Sequence, residues 1–328
     1  CSILASFNIP SKLASIEDST FQECIGLTTI TMSEGITKIG KEAFGGCGAL
    51  TSIALPNSVA SIGKGAFYGC SKLTSFTIPS KLVSIEESVF SGCNKLTSIT
   101  IPNNITTIKD YAFKNCQSLS SVTVPKSVIS IKASSFEGCE NIGTLNLDCS
   151  EIKDWFKGLK SIKKLVIGDN AISIAPSAFQ NCSGMTSLTI GKNVSSIGTS
   201  AFSGCRGLTV VNIPNSVTSI GLSSFDGCEI STLEIDCSEV GDWFKGLKSI
   251  KKIVIGGNVK SIASSAFQNC SSLTSLMVGG NVTSIGASTF SGCSGLASLE
   301  LPNSVTFIGA SAFSNCSSLT SVALPSKL

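Results

Sequence analysis

Residues 70–93 read CSKLTSFTIPSKLVSIEESVFSGC, and residues 93–116 read CNKLTSITIPNNITTIKDYAFKNC. The two stretches share a period of 23 residues that begins and ends on a cysteine. The same cysteine position recurs at Cys1, Cys24, Cys47, Cys70, Cys93, Cys116, Cys139, Cys182, Cys205, Cys228, Cys270, Cys293 and Cys316, and a phenylalanine precedes twelve of these thirteen cysteines by three residues. A fixed period of about 20 to 50 residues is typical of a solenoid, whose units bury their apolar faces only against one another.

One repeat contains a segment with the pattern of a strand that has one buried face. Leu73, Phe76 and Ile78 follow the spacing L-x-x-L-x-L, and Phe76 and Ile78 alternate with polar residues. Pro79 ends the segment because it has no N–H to donate to a neighbouring strand. We therefore expect fifteen short parallel strands, near residues 7–9, 29–32, 52–55 and onward to 321–324.

The repeat resembles a known leucine-rich unit. Residues 50–70, LTSIALPNSVASIGKGAFYGC, are similar to the unit L-x-x-I-x-I-P-x-x-V-x-x-I-G-x-x-A-F-x-G-C of the BspA-like leucine-rich repeats, and residues 296–316 match it as well. The resemblance covers essentially the whole chain. It implies an α/β solenoid, a leucine-rich repeat horseshoe or arc with a single parallel β-sheet on the concave face and a mostly irregular or short-helical convex side. It also implies an extracellular or cell-surface location and adhesion to a protein or glycan, including host matrix proteins.

The repeats predict one solenoid over residues 1–328, with about 14 repeats and partial ends. Two intervals between the cysteines are longer, 43 residues and 42 residues, and each contains an atypical 20-residue repeat, near 145–165 and near 233–253. The two atypical repeats lie 88 residues apart, so a module near 139–228 is duplicated near 228–316. Atypical capping repeats are missing from both ends, and we expect the chain to be part of a longer protein.

Each atypical repeat contains one of the two tryptophans, Trp155 and Trp243. Apolar residues from Ile152 to Leu159 fall at i, i+3, i+4 and i+7, which predicts a short amphipathic helix with Ser150 as its N-cap. The tryptophans are candidate aromatic anchors for a partner. Alternatively, their bulky rings fill the space that a shorter repeat leaves.

The same two repeats contain the densest charge in the chain, including Lys163, Lys164, Lys251 and Lys252. These side chains form either a solvated basic patch or a contact for an acidic partner or glycan. The strand pattern also predicts outward-facing residues that could bind a ligand. They are Ser75, Thr77, Ser98, Thr100, Ser121 and Thr123 in the N-terminal half, with Glu234 and Glu300 in the C-terminal half. Hydroxyl rows suit a glycan or an extended peptide, and they are also ordinary for an exposed strand.

Composition argues against several classes of function. The net charge is +3 with a single arginine, Arg206, which disfavours nucleic acid as a partner. No apolar run is long enough to span a membrane. With no histidine, the chain has no catalytic triad and no zinc-type ligand set, so we expect no enzyme activity, no cofactor and no metal.

The cysteines have a simple interpretation as a series of buried, reduced thiols, although disulfides between neighbouring repeats are an alternative. For function, the leading hypothesis is an extracellular or cell-surface module that binds a host or neighbouring-cell protein or glycan. The alternative is a passive structural spacer within a longer surface protein. A remote alternative is ice or mineral-surface binding by the Ser/Thr rows.

Overall fold

Most repeats contribute two parallel strands in the computed structural model, which describes residues 2–132 and 134–326. We call the strand of the L-x-x-L-x-L segment the long strand, and the two-residue strand that follows it the short strand. The chain divides into two units, Cys1–Ser150 and Glu151–Leu328. Cys1, which the sequence assigns to the cysteine series, lies outside the described residues.

The first unit has long and short strands that each pair with their counterparts in neighbouring coils. The long strands are β1 (Ser6–Asn8), β3 (Thr29–Thr31), β6 (Ser75–Thr77), β8 (Ser98–Thr100), β10 (Ser121–Val124) and β12 (Thr144–Leu147). The short strands are β2 (Ser15–Ile16), β4 (Lys38–Ile39), β5 (Ser61–Ile62), β7 (Ser84–Ile85), β9 (Thr107–Ile108) and β11 (Ser130–Ile131). Pairing is parallel throughout, with β6, β8, β10 and β12 in one run and β1 with β3 in another.

The second unit repeats this arrangement. Its long strands are β14 (Lys164–Ile167), β16 (Ser187–Thr189), β18 (Val210–Ile213), β20 (Thr232–Ile235), β22 (Lys252–Ile255), β24 (Ser275–Met277), β26 (Ser298–Glu300) and β28 (Ser321–Ala323). Its short strands are β13 (Glu151–Ile152), β15 (Ser173–Ile174), β17 (Ser196–Ile197), β19 (Ser219–Ile220), β21 (Glu239–Val240), β23 (Ser261–Ile262), β25 (Ser284–Ile285) and β27 (Phe307–Ile308). A single 3-10 helix, Asp154–Phe156, is the only helix among the described residues.

The core of each unit contains a stack of phenylalanines, one per coil. The rings of Phe44 and Phe67 are 5.4 Å apart between centroids and inclined by 3°, and the same near-parallel contact recurs between Phe267 and Phe290. The backbone around these rings is also paired, since the N–H of Phe90 donates to the carbonyl of Ala112 in the next coil at 2.8 Å. Backbone hydrogen bonds around the phenylalanines therefore join each coil to the next, in addition to the hydrogen bonds within the two rows of strands.

Before each cysteine of the repeat the backbone makes a left-handed turn. Gly92 has φ of 76°, and Asn115 takes the same position with φ of 58°. Glycine and asparagine adopt this conformation at little cost, which explains why they occupy eleven of the twelve such positions, Glu23 being the exception.

The structure corrects several expectations for the fold. The parallel solenoid is confirmed, but it contains a second row of short strands where a single sheet was predicted. The described residues contain fourteen long strands, and none forms at 52–55, where the N–H of Thr51 lies 3.5 Å from the carbonyl of Thr28. The expected low helix content agrees with the structure, since the described residues contain one 3-10 helix, while the mostly irregular or short-helical convex side stays a prediction.

The predicted helix from Ile152 to Leu159 is also wrong. Ile152 lies in short strand β13, and the 3-10 helix that follows has Lys153 at its N-cap position, without a side-chain cap, so Ser150 does not cap it. The spacing of apolar residues arises because Phe156 takes the phenylalanine position of the repeat, as the hydrogen bond from the Cys182 thiol to its carbonyl at 3.2 Å indicates. The apolar residues here have the spacing of a helix because they occupy successive core positions around a bend of the coil.

Candidate ligand-binding surfaces

The hydroxyl rows of the first unit are aligned across neighbouring long strands. Ser75, Ser98 and Ser121 face one another in the strand register, and Thr77, Thr100 and Thr123 form the parallel row two residues on. The residues between them, such as Phe76 and Ile99, are buried. Ser121 is half-buried and the other five hydroxyl residues are exposed, so the rows lie on the outer side of the strands, and their use in binding stays a prediction.

The four candidate lysines of the second unit are exposed at the start of long strands. Lys164 opposes Ser187, and Lys252 lies between Thr232 and Ser275. Lys163 and Lys251 immediately precede them and are also exposed. Within residues 2–132 and 134–326, no salt bridge involves these four ammonium groups.

Two lysines of the first unit differ in this respect. Lys64 lies 2.7 Å from Glu87, and Lys109 lies 2.6 Å from Glu86. The four candidate lysines are therefore exposed without an acidic salt-bridge partner, whereas these two lysines of the first unit are partly neutralised.

Strand pairing between the long strands of the second unit is interrupted twice: β16 does not pair with β18, and β24 does not pair with β26. The residue that follows the apolar segment in both coils is glycine rather than proline, Gly191 and Gly279. A Cβ at Gly191 would lie 2.3 Å from the carbonyl oxygen of Gly168, and the equivalent Cβ at Gly279 would lie 2.3 Å from that of Gly256. At both positions the backbone of the preceding coil is so close that only glycine fits.

The interruption leaves apolar side chains partly uncovered. Leu188 and Leu276, the central residues of β16 and β24, are half-buried, whereas the equivalent Val211 and Leu233 are fully buried. These two leucines lie 88 residues apart, so the duplicated module carries the interruption with it.

A groove of about 450 Å³ lies at the first interruption, along the C-terminal ends of β16, β18, β20 and β22. Leu188, Ile190 and Val254 contribute half-buried apolar surface, and Pro214 adds to it. The exposed polar residues of the groove include Glu234. Its size and its mixture of apolar and polar groups are within the range of ligand pockets, about 300–1,000 Å³.

The two acidic residues of the groove differ in their surroundings. The carboxylate of Asp236 accepts hydrogen bonds from the backbone N–H of Asn258 at 3.2 Å and from its side-chain amide at 2.6 Å, which stabilises the next turn. Glu234 is exposed in the middle of β20, between Asn212 and Val254 in the register. Glu300, the other acidic candidate, lies exposed in β26 opposite Ala323, outside this groove. Sequence reasoning found Glu234 but not the groove around it.

The two tryptophans occupy different environments. Trp155 is only 6% exposed and fills the core of its short repeat, in agreement with the space-filling interpretation. Trp243 is half-buried and lines a second pocket. The pair therefore does not act as two equivalent surface anchors.

The cysteine thiols are free and buried in all fourteen described positions. Burial raises the pKa of the Cys93, Cys182, Cys270 and Cys293 thiols from 9.0 to about 12. A thiol that stays protonated is a poor nucleophile. Among the described residues no group of three or more His, Cys, Asp and Glu side chains could hold a metal ion, and no helix has the length and apolar character needed to cross a membrane.

Comparison with protein families identifies the repeat. The family described as BspA type Leucine rich repeat region (6 copies) matches residues 1–118, 84–183, 150–243 and 241–328. No curated protein matches the chain.

Several solved structures are similar to this chain. A leucine-rich repeat protein from Bacteroides ovatus ATCC 8483 is 28% identical, with 99% of this chain and 82% of that chain covered and a TM-score of 0.55. A leucine rich cell surface protein from Faecalibacterium prausnitzii A2-165 is 24% identical, with 84% and 79% covered and a TM-score of 0.44. A leucine-rich repeat protein from Eubacterium ventriosum ATCC 27560 is 22% identical, with 99% and 85% covered and a TM-score of 0.47.

Proposed function

We propose that this chain, which belongs to the BspA-type leucine-rich repeat family, is a non-enzymatic binding module that engages a protein partner through the long strands of its second unit. The observation that carries the proposal is the groove between β16 and β22, with its apolar residues and the exposed Glu234. Solenoids present extended surfaces that bind partners. This surface differs from the hydroxyl rows because it combines half-buried apolar residues with an acidic side chain. An extracellular or cell-surface location, and the placement of the long strands on a concave face, follow from the family resemblance and are part of the proposal.

The groove favours a protein partner because it combines two kinds of contact. Half-buried Leu188, Ile190 and Val254 offer apolar surface for a side chain of the partner, whose burial contributes roughly 25 cal/mol per Å². Asn212 and Glu234 add polar groups at the rim. A core of apolar contacts with a polar rim is the usual composition of a protein interface.

Lys164 and Lys252 add positive charge to the same rows of long strands. They open β14 and β22, and neither has a salt-bridge partner within the described ranges. Unpaired surface cations of this kind attract an acidic region of a partner and increase its rate of association. The proposed partner therefore combines an apolar anchor with acidic residues nearby.

The test is a matched pair of substitutions on two equivalent strand positions. Thr189 ends β16 in the groove, and Thr100 ends β8 in the hydroxyl rows, and both are exposed. Thr189→Trp should fill the groove and weaken binding by roughly tenfold or more, as loss of a buried anchor does. Thr100→Trp should leave binding unchanged. Binding is measured by biolayer interferometry against purified matrix proteins, each in native and deglycosylated form.

Three outcomes would contradict the proposal. If Thr100→Trp weakens binding and Thr189→Trp does not, the hydroxyl rows are the binding surface. If deglycosylation of the partner abolishes binding, the ligand is a glycan. If the folded chain binds no matrix protein, glycan or cell surface, the passive spacer hypothesis is favoured.

A further inference from the structure

The two short repeats share the identical stretch DWFKGLKSIKK, at residues 154–164 and 242–252, yet their tryptophans differ in exposure. Trp155 is 6% exposed, whereas Trp243 is half-buried. The difference must therefore come from residues outside the shared stretch. The residue immediately before it is Lys153 in the first short repeat and Gly241 in the second.

Gly241 explains the position of the Trp243 side chain. A Cβ at Gly241 would lie 2.4 Å from the indole Nε1 and 2.5 Å from Cε2, so the indole occupies space that any other residue would need. The ring also makes an edge contact with Phe244, at 6.3 Å between centroids and 79° between planes. Trp243 is thus packed against the backbone of Gly241 instead of being buried in the core like Trp155.

In this position Trp243 lines a pocket of about 500 Å³. Leu222, which is 76% exposed, provides a second apolar group at the pocket. The polar side chains are the carboxylates of Asp226 and Asp242, the ammonium of Lys245 and the amide of Asn269, all on exposed residues. In the described part of the chain, Asp226, Asp242 and Lys245 take part in no salt bridge.

We propose that this pocket, the Trp243 pocket, binds a neutral sugar of a glycan. A pyranose ring has an apolar C–H face, which suits the indole and Leu222, and a rim of hydroxyl groups that both donate and accept hydrogen bonds. Asp226 and Asp242 accept hydrogen bonds, whereas Lys245 and the Asn269 amide donate them. Hydrogen bonds to charged groups of this kind are the stronger ones.

The charges of the pocket also distinguish a neutral sugar from charged ligands. A cationic side chain would gain from the two carboxylates and the indole, but it would meet the Lys245 ammonium in the same pocket. A sulfated or carboxylated sugar would be repelled by Asp226 and Asp242. The pocket supplies both donors and acceptors to a ligand without net charge.

This inference does not depend on the proposed protein partner. The Trp243 pocket and the groove at β16–β22 share no lining residue. Thr189→Trp should accordingly leave sugar binding unchanged, and substitutions in the Trp243 pocket should leave binding of the protein partner unchanged.

The test is binding of the intact chain to an array of neutral glycans, followed by titration of the retained sugars. Gly241→Lys gives the second repeat the residue of the first and should displace the indole, so it is expected to weaken binding roughly tenfold or more. The pair Asp226→Asn and Asp242→Asn changes only exposed residues and should weaken binding without affecting folding. Asp154→Asn, the equivalent change in the first repeat, is the matched control and should have no effect. In a Trp155→Phe background, the fluorescence of Trp243 should change as sugar binds.

Three results would overturn the assignment. One is that the chain retains no neutral glycan from the array. Another is that retained glycans bind equally well to the Gly241→Lys and Asp226→Asn/Asp242→Asn variants. The third is that an arginine-rich peptide binds in a Trp243-dependent way whereas neutral sugars do not, which would identify a cation site.

Discussion

The thiol of Cys93 donates a hydrogen bond of 3.3 Å to the backbone carbonyl of Phe67, which lies 26 residues earlier. Ten further cysteines of the series make the same bond to the phenylalanine carbonyl 26 residues before them. The cysteine is therefore more than a small apolar residue, since it joins each coil to the preceding one. Ser135 and Ser224 show that hydroxyls can act similarly, because each donates to a backbone carbonyl 26 residues earlier.

This bond predicts an order of stability at position 93. Cys93→Ser retains a donor, whereas Cys93→Ala removes it and leaves a small void. Both should lower the free energy of unfolding by about 1–3 kcal/mol, with the alanine variant the less stable of the two. Urea denaturation followed by circular dichroism measures the difference. A serine variant less stable than the alanine variant would mean that the thiol acts only as an apolar group.

Stability should also fall at alkaline pH. The unfolded thiols ionise near pH 9, whereas burial raises the pKa of Cys93, Cys182, Cys270 and Cys293 to about 12 in the folded chain. Their contribution is complete below pH 9 and is lost as the pH rises from 9 towards 12, because the unfolded state then binds fewer protons. Each such thiol contributes about 1.4 kcal/mol per pH unit in this range.

The measurement is the free energy of unfolding between pH 7 and pH 11 in the presence of reductant. Cys93→Ala is the control, since it should reduce the slope by the contribution of one thiol. A slope that is equal in both proteins would show that these thiols do not titrate as expected. Counting free thiols after denaturation without reductant should independently give close to fifteen, and a value near one would indicate disulfides.

The phenylalanine stack predicts a position-dependent cavity cost. Phe90 is 1% exposed between the rings of Phe67 and Phe113, so Phe90→Ala should cost about 3–5 kcal/mol. Phe313 is half-buried and stacks on Phe290, and its truncation should cost less. Thermal unfolding of the two variants tests this difference. Equal losses would contradict the expected dependence on position in the stack.

Much of the fold follows directly from the sequence. The 23-residue period predicts the parallel rows, and the alternation around Phe76 predicts which residues face outward. The second strand row was missed because two residues, such as Ser84–Ile85, are too short to show an alternating pattern. The helix prediction at Ile152 failed because the core positions around a bend happen to repeat at helical spacing.

The candidate sites were less predictable than the fold. Exposure of Lys164 and Glu234 follows from the strand pattern, but the groove lies where β16 does not pair with β18, and the repeat period does not predict that gap. The different exposure of Trp243 likewise goes together with Gly241, where a Cβ would overlap the indole. Periodicity alone describes neither feature.

The unpaired lysines predict a salt-dependent contact. Lys164→Glu together with Lys252→Glu should leave folding intact, since both side chains are exposed, and should weaken binding of a protein partner. Binding by the unmodified chain should also fall as the ionic strength rises from about 0.05 to 0.5 M, because salt screens exposed charges. Lys95→Glu, on an exposed residue of the first unit, is the control. Binding that is unchanged in the double variant and insensitive to salt would remove these lysines from the proposed surface.

The most direct test of the proposed binding surface is an oxidation footprint of the chain with and without its bound protein partner. Met277 ends β24 on the outer side of the long strands, opposes Val254 in the register and is 57% exposed, so it reports on this surface. Tyr68 and Tyr111, at 48% and 38% exposure, lie in the turns of the first unit and report on a different surface. The account predicts that the partner slows oxidation of Met277 and leaves the two tyrosines unchanged. The account would be contradicted if the partner left the oxidation rate of Met277 unchanged and slowed oxidation of either tyrosine.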